Sequence, residues 1–187
     1  VYYTIYYSSD SNFSFYESSG EWKNTTSTIT ISSPWTFEEN KQYFWKVRAR
    51  DDYGGLTVST TQSFWINATE EPPEDFNLES PEISGVIKTP TVTFKWQETS
   101  DPDPKDYVSK YIIRISTVAN TVVGISSYVV ISDSNTTSYN FSLQNLKENA
   151  AYCWWVEAYD KEGNIENKDY KKSSSSYVFI VDLSTEI

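Results

Sequence analysis

Short stretches in which apolar and polar residues alternate recur along the chain. Val92-Thr93-Phe94-Lys95-Trp96, Tyr111-Ile112-Ile113-Arg114-Ile115 and Tyr152-Cys153-Trp154-Trp155-Val156-Glu157-Ala158 are the clearest. A period of two sends successive side chains to opposite faces of a strand, so these runs predict half-buried strands. Their Tyr, Trp, Val, Ile and Thr residues suit a pleated surface. Turn-forming clusters separate them: Asp101-Pro102-Asp103-Pro104, Ser132-Asp133-Ser134-Asn135 and Lys161-Glu162-Gly163-Asn164. No longer stretch carries a 3.6-residue period, and residues 75–82 and 143–151 are too short or interrupted for helices. The expectation is an all-β protein.

The pattern repeats internally. Tyr43, Trp45, Val47, Ala49, Asp51 and Gly54 recur as Tyr152, Trp154, Val156, Ala158, Asp160 and Gly163 at a constant offset (152 − 43 = 109). Phe37, Glu39 and Asn40 match Leu146, Glu148 and Asn149 in the same frame. Tyr3, Ile5, Tyr7 and Ser8 match Tyr111, Ile113, Ile115 and Ser116 with an offset one residue smaller. Phe64-Trp65-Ile66 matches Phe179-Ile180-Val181 further on, so the second copy has a longer final loop. A frame shared over three strands predicts two tandem copies of one domain. The acidic, proline-bearing stretch between them, residues 68–75, is expected to be a short stiff linker.

Trp96 on an early strand, Leu146 six residues before Tyr152, and the Tyr-x-Trp-x-Val-x-Ala-x-Asp strand resemble fibronectin type III and related immunoglobulin-like β-sandwiches. The Leu146/Tyr152 pair is similar to the tyrosine corner of that group, in which a Tyr hydroxyl ties back to nearby backbone. The Arg48-Ala49-Arg50-Asp51-Asp52-Tyr53-Gly54-Gly55 phrase and its counterpart from Glu157 resemble versions in prokaryotic surface proteins. The resemblance specifies a fold and says little about function, since such modules serve many roles. It implies strands A to G of a complete second sandwich at 82–88, 91–97, 109–117, 128–132, 136–142, 150–159 and 175–182, within a domain of residues 76–183 and a tail of 184–187. The first copy, residues 1–67, would run from strand C (2–9) through C′ (13–17), E (28–32) and F (42–51) to G (60–67). It would lack A and B and so present an open inward face. Three explanations stand: residues preceding Val1 complete it, another subunit donates a strand, or the sandwich is permuted or abbreviated.

Composition narrows the chemistry. The chain has 187 residues, a net charge of −11, no histidine, no methionine and one cysteine. That excludes histidine triads, histidine-ligated metals, cysteine-rich zinc sites and internal disulfides. The acidity argues against nucleic acid as a partner. No apolar run reaches the length of a membrane span. With no initiating methionine or signal peptide, the chain is expected to be a mature or internal piece of a longer protein. The acidic residues fall in turns and linkers, no nucleophile elbow or phosphate loop occurs, and no catalytic, cofactor-binding or metal site is assigned. Asp101, Asp103 and Asp106 are spaced so that they resemble calcium ligands, but a turn stiffened by Pro102 and Pro104 is the preferred reading. Cys153 is expected to face outward as a semi-exposed thiol.

Asn-x-Ser/Thr sequons at Asn12, Asn24, Asn67, Asn135 and Asn140 point to N-linked glycans on an exported protein. Aromatic residues make up 17% of the chain. Tyr3, Tyr7, Tyr43, Trp45, Phe94, Trp96, Tyr111, Tyr152 and Trp154 are expected inward, as are Tyr139 and Phe141 on either side of an outward Asn140. Tyr2, Tyr6 and Phe44 in the first copy, and Ile112, Trp155 and Tyr159 in the second, are expected on an outward face as an assembly surface. These readings converge on a structural, non-catalytic section of an extracellular cell-surface or filament-forming glycoprotein. It would self-associate into a homopolymer or array, or contact neighbouring domains, through exposed strand edges and aromatic faces. The alternative is an adhesin or a carbohydrate-binding accessory module of a secreted protein.

Overall fold

The computed structural model describes residues 1–23, 36–118, 125–131, 135–161 and 170–183. Among these the only helical element is a 3-10 turn at Leu143–Asn145, and no helix is long and apolar enough to cross a membrane. The chain divides into two compact units, Val1–Glu70 and Glu71–Ile187.

The first unit contains β1 (Tyr2–Ser8), β2 (Glu17–Ser18), β3 (Trp22–Lys23), β4 (Gln42–Arg50), β5 (Leu56–Val58) and β6 (Gln62–Trp65). All six belong to one sheet, with β1 and β4 at its centre, β2 and β3 beyond β1, and β5 and β6 beyond β4. The second unit holds β7 (Leu78–Ser80), β8 (Gly85–Ile87), β9 (Thr91–Trp96), β10 (Lys110–Thr117), β11 (Ile125–Ile131), β12 (Ser138–Ser142), β13 (Ala150–Tyr159), β14 (Tyr170–Lys172) and β15 (Tyr177–Val181). Here there are two sheets, β12-β9-β7 and β11-β10-β13-β15-β8, with β14 paired to β13. Their inner faces share one core. Phe94 lies 4.7 Å from Trp154 and 5.9 Å from Phe179, and Trp96 lies 5.3 Å from Tyr111, measured between ring centroids. Two sheets joined by such a core, one of three strands and one built on C, F and G, form an immunoglobulin-like sandwich.

The internal repeat is visible in register. In the first unit Tyr3 faces Ala49, Ile5 faces Val47 and Tyr7 faces Trp45. In the second Tyr111 faces Ala158, Ile113 faces Val156 and Ile115 faces Trp154. The Tyr43 and Phe64 rings stack at 6.0 Å, and those of Tyr152 and Phe179 at 5.7 Å, both at 26°. The Tyr152 hydroxyl accepts the Lys147 N–H at 2.6 Å, and the Tyr43 hydroxyl accepts the Glu38 N–H at 3.0 Å. Each unit therefore carries a tyrosine corner.

A second shared device gave no signal in the alternation. Strand G is broken in both units by a serine. Ser59 N–H donates to Val47 O at 2.9 Å while its Oγ accepts Val47 N–H at 3.0 Å. Ser173 does the same with Val156, at 2.8 and 3.4 Å. The break ends one pairing with strand F and starts another, so that β6 and β15 lie within the expected 60–67 and 175–182 while β5 and β14 add an earlier segment to each strand.

Three other expectations change. Strand A is split: β7 pairs with β9, Pro81 has no N–H to continue that ladder, and β8 joins the other sheet beside β15. The strand expected at 13–17 begins only at Glu17, because Asp10 carboxylate oxygens accept the Asn12 and Ser14 N–H groups and hold Asp10–Phe13 in a turn, with Phe13 at φ 56°. Tyr139, expected inward, is exposed at the edge strand β12. The strand expected at 28–32 lies outside the described residues.

Matching positions differ in burial. Tyr111, Ile113, Trp154, Val156 and Phe179 are fully covered in the second unit. Their counterparts Tyr3, Ile5, Trp45, Val47 and Phe64 stay partly exposed, since among the described residues no second sheet faces theirs. Removing the Tyr152 hydroxyl (Tyr152→Phe) strands a backbone N–H, and the loss expected in chemical denaturation is about 1–3 kcal/mol. Tyr43→Phe, at the more open corner, is expected to cost less, because water replaces the lost acceptor.

Candidate functional site

The outward faces of strands C and F are the surfaces on which the two units differ. In the first unit the cross-strand rows read Tyr2–Arg50–Leu56, Thr4–Arg48–Val58 and Tyr6–Lys46, with Phe44 between Ser8 and Ser63. The Arg50 guanidinium lies 4.6 Å from the Tyr2 ring centre and Arg48 lies 5.4 Å from that of Tyr6. Lys46 Nζ sits 3.9 Å from the Phe13 ring, and Tyr16 meets Tyr6 edge-on at 5.2 Å. Such cation–ring contacts hold the long side chains flat on the sheet. Arg50 makes a two-pronged bond to Glu21, at 2.9 and 2.8 Å. Arg48 donates to Thr4 Oγ1 at 3.4 Å, but its buried Nε–H meets no acceptor among the described residues. Leu56 and Val58, on the same face, are exposed.

In the second unit the rows are Lys110–Tyr159–Tyr170, Ile112–Glu157–Lys172 and Arg114–Trp155. Ile112 and Tyr159, expected in an exposed assembly surface, are only 1% and 0% exposed, which corrects that expectation. Tyr159 is covered by β14, which sequence alternation did not reveal. It lays Tyr170 on Tyr159 with the rings stacked at 4.9 Å and brings Lys172 Nζ to 4.6 Å from the Trp155 ring. Trp155, Tyr2, Tyr6 and Phe44 are partly buried.

Glu157 anchors this second face. Its Oε2 accepts Arg114 Nε–H at 2.9 Å and the Tyr159 hydroxyl at 3.0 Å, and its Oε1 accepts Trp155 Nε1–H at 3.0 Å. Burial pushes the Tyr159 phenol pKa up, and the Glu157 charge adds to it. Burial works to lower the Arg114 pKa, but the bond and charge of Glu157 outweigh it and hold the guanidinium above its ordinary value. The register position of Glu157 is occupied in the first unit by Arg48. Lys46, Arg48 and Arg50 thus form a row of three outward cations on one strand. Their i, i+2, i+4 spacing between Trp45, Val47 and Ala49 is the signal by which the sequence reveals them.

The acidic loop is braced from within. Asp101 Oδ1 accepts Asp103 N–H at 2.9 Å, and Asp103 Oδ2 accepts Glu71 N–H at 2.9 Å. Asp106 Oδ1 accepts Tyr107 N–H at 2.7 Å, and its Oδ2 pairs with Lys161 Nζ at 3.0 Å. Burial raises the Asp101 pKa to about 6 against the opposing Asp103 N–H bond, and the charges of Asp106, Asp103 and Asp160 raise it further. Carboxylates that serve their own loop's backbone in this way make a self-capped turn.

Among the described sequons, Asn12, Asn67, Asn135 and Asn140 are exposed, and Asn24 lies outside the described residues. Asn140 stands opposite Thr93 on β9 and accepts its hydroxyl at 2.6 Å through Oδ1. Cys153, on the outward side of β13, is a free thiol of intermediate exposure.

No protein-family model matches the chain, and no curated protein matches it. Among solved structures, the crystal structure of the chicken CNTN1 FN1–FN3 domains is similar at 12% identity, with a TM-score of 0.43. The match covers 96% of this chain and 57% of that one. The sandwich assignment made above stands on the strand order and core of the second unit.

Two outcomes follow from the site. Glu157→Ala removes the carboxylate shared by Arg114, Trp155 and Tyr159 from a buried site, and urea unfolding is expected to show a loss of about 3–5 kcal/mol in the second unit. A loss below about 1 kcal/mol would mean that water already screens the pair. Asp101 has a folded pKa of about 6, above its ordinary value of 3.8, so its ionisation opposes folding. That contribution is absent in strong acid and grows as pH rises from about 4 through about 6. Asp101→Asn keeps the Oδ1 acceptor and is expected to gain stability over the parent above about pH 6 but not near pH 4, as read from paired melting curves.

Proposed function

We propose that the chain is a structural, non-catalytic section of an extracellular cell-surface or filament-forming glycoprotein, built from tandem fibronectin type III-like modules. The carrying observation is the duplicated module itself: both units pair strands C and F in one register, close the same tyrosine corner and break strand G at the same serine. Duplication of a rigid module sets spacing along a polypeptide. In this reading residues 1–67 and 76–183 are the modules, and the first is completed outside the strands described.

Exposed acceptors at Asn12, Asn67, Asn135 and Asn140 support glycan attachment. The surplus of acidic charge keeps such a surface soluble and selects which contacts form. Exposed bulk in the first unit, including Phe15, Tyr16, Leu56 and Val58, supplies contact area for self-association.

Negative-stain microscopy and intact-mass measurement on protein isolated from its own source test this reading. Ordered polymers whose mass falls on deglycosylation are the expected result. Monodisperse particles that capture sugars from a glycan array would replace it with the adhesin or carbohydrate-binding alternative.

A further inference from the structure

The two copies of the module act as a control for each other. On the outward face of strand F the second unit has a carboxylate, Glu157, at the centre of a cationic and aromatic surround, and it satisfies Arg114, Trp155 and Tyr159. The first unit has Tyr6, Lys46 and Arg50 at the positions of Arg114, Trp155 and Tyr159, and a cation at the centre. Arg48 stands at the Glu157 position with Lys46 and Arg50 on either side, Thr4 opposite, and its own Nε–H buried without an acceptor among the described residues. Glu21 bonds Arg50, and its charge also reaches Arg48. One carboxylate thus serves three cations, and the face keeps an excess of positive charge.

The class of anion follows from the rings. Arg50 covers Tyr2, Arg48 covers Tyr6 and Lys46 covers Phe13. Ring faces already occupied by cations offer no platform for stacking a sugar. A planar guanidinium instead matches a carboxylate. The exposed Leu56 and Val58 beside the row add apolar contact of the kind a protein surface fills.

The chain carries a complement. In the second unit Glu74, Asp75 and Glu98 line an open recess with Thr99 and Ser100. Glu74, Asp75 and Glu98 are exposed, and among the described residues only Asp75 pairs with a cation, Lys171 at 2.6 Å.

We propose that the Lys46–Arg48–Arg50 face of one copy docks the Glu74–Glu98 recess of a second copy. This rests on the self-association reading above and names its contact. Because the two patches are different surfaces, the contact is head-to-tail and leaves a free patch at each end of a pair. Such a contact propagates into a filament unless its rotation closes a ring. Like charges elsewhere on the acidic chain repel, so this pairing is also selected by charge.

Sedimentation velocity of the full chain against ionic strength is the test. The wild type is expected to form concentration-dependent assemblies at about 0.02 M salt that dissociate at about 0.3 M. Arg48→Glu and, separately, Glu98→Lys should each weaken association by at least about tenfold. Circular dichroism and unfolding curves should match the wild type. Mixing the two variants should restore association, because each retains one intact patch and the altered patches are themselves complementary. Glu98 is an exposed residue of the complete second sandwich, so its variant keeps the test valid if Arg48→Glu fails to fold. Assembly that persists in Glu98→Lys overturns the proposed contact while leaving self-association standing. A wild type that stays monomeric at low salt overturns both. A monomer that binds polygalacturonate beads through Arg48 overturns the choice of occupant.

Discussion

The pairing of strand C with strand F is the constraint on which everything else in both units depends. Along β1·β4 and β10·β13 the inward residues meet as Tyr–Ala, Ile–Val and a third pair closed by Trp. A slip of one residue would turn Tyr43, Trp45 and Val47, or Tyr152, Trp154 and Val156, to the opposite face. Two polar locks hold the frame. The tyrosine hydroxyl fastens strand F to the loop before it, and the serine of strand G fastens it from the other side. Each lock satisfies a backbone N–H that the ladder leaves over, so the apolar register and the polar register agree.

The same sheet meets two different environments. In the second unit β7, β9 and β12 bring Leu78, Val92, Phe94 and Trp96 over it, and the rings of strands C, F and G lose contact with water. In the first unit the corresponding rings rely on each other. Phe37 packs edge-on against Tyr7, Tyr43 and Phe64 at 5.4, 4.9 and 5.6 Å, and remains exposed itself. Aromatic clustering of this kind recovers part of the burial that a facing sheet would supply.

The outward faces have diverged in the opposite sense. The second unit neutralises its surface internally through Glu157 and covers it with β14. The first keeps a cationic row open on a chain whose net charge is −11. With opposite charge this scarce, a concentrated cationic row shapes the molecule's field more than its size implies.

Much of this was legible in the one-dimensional pattern. Residues 150–159 coincide with β13, the two strands F align residue for residue, and Leu146 with Tyr152 announced the tyrosine corner. Periodicity determines which face of a strand a side chain takes, because that depends only on backbone geometry. It does not determine what lies on that face. Ile112 and Tyr159 do point outward, as alternation requires, yet both are buried, Tyr159 because residues 170–172, distant in sequence, pair with β13 and lay Tyr170 on its ring. The turn at Asp10, the transfer of strand A between sheets at Pro81 and the internal bracing of Asp101, Asp103 and Asp106 arise in the same way from particular hydrogen-bond partners. The sequence by itself determined the module, its duplication and the inward residues. Tertiary structure alone decided which outward residues stay in water and which cations go without a carboxylate, since burial and charge pairing belong to contacts between strands rather than to the order along one.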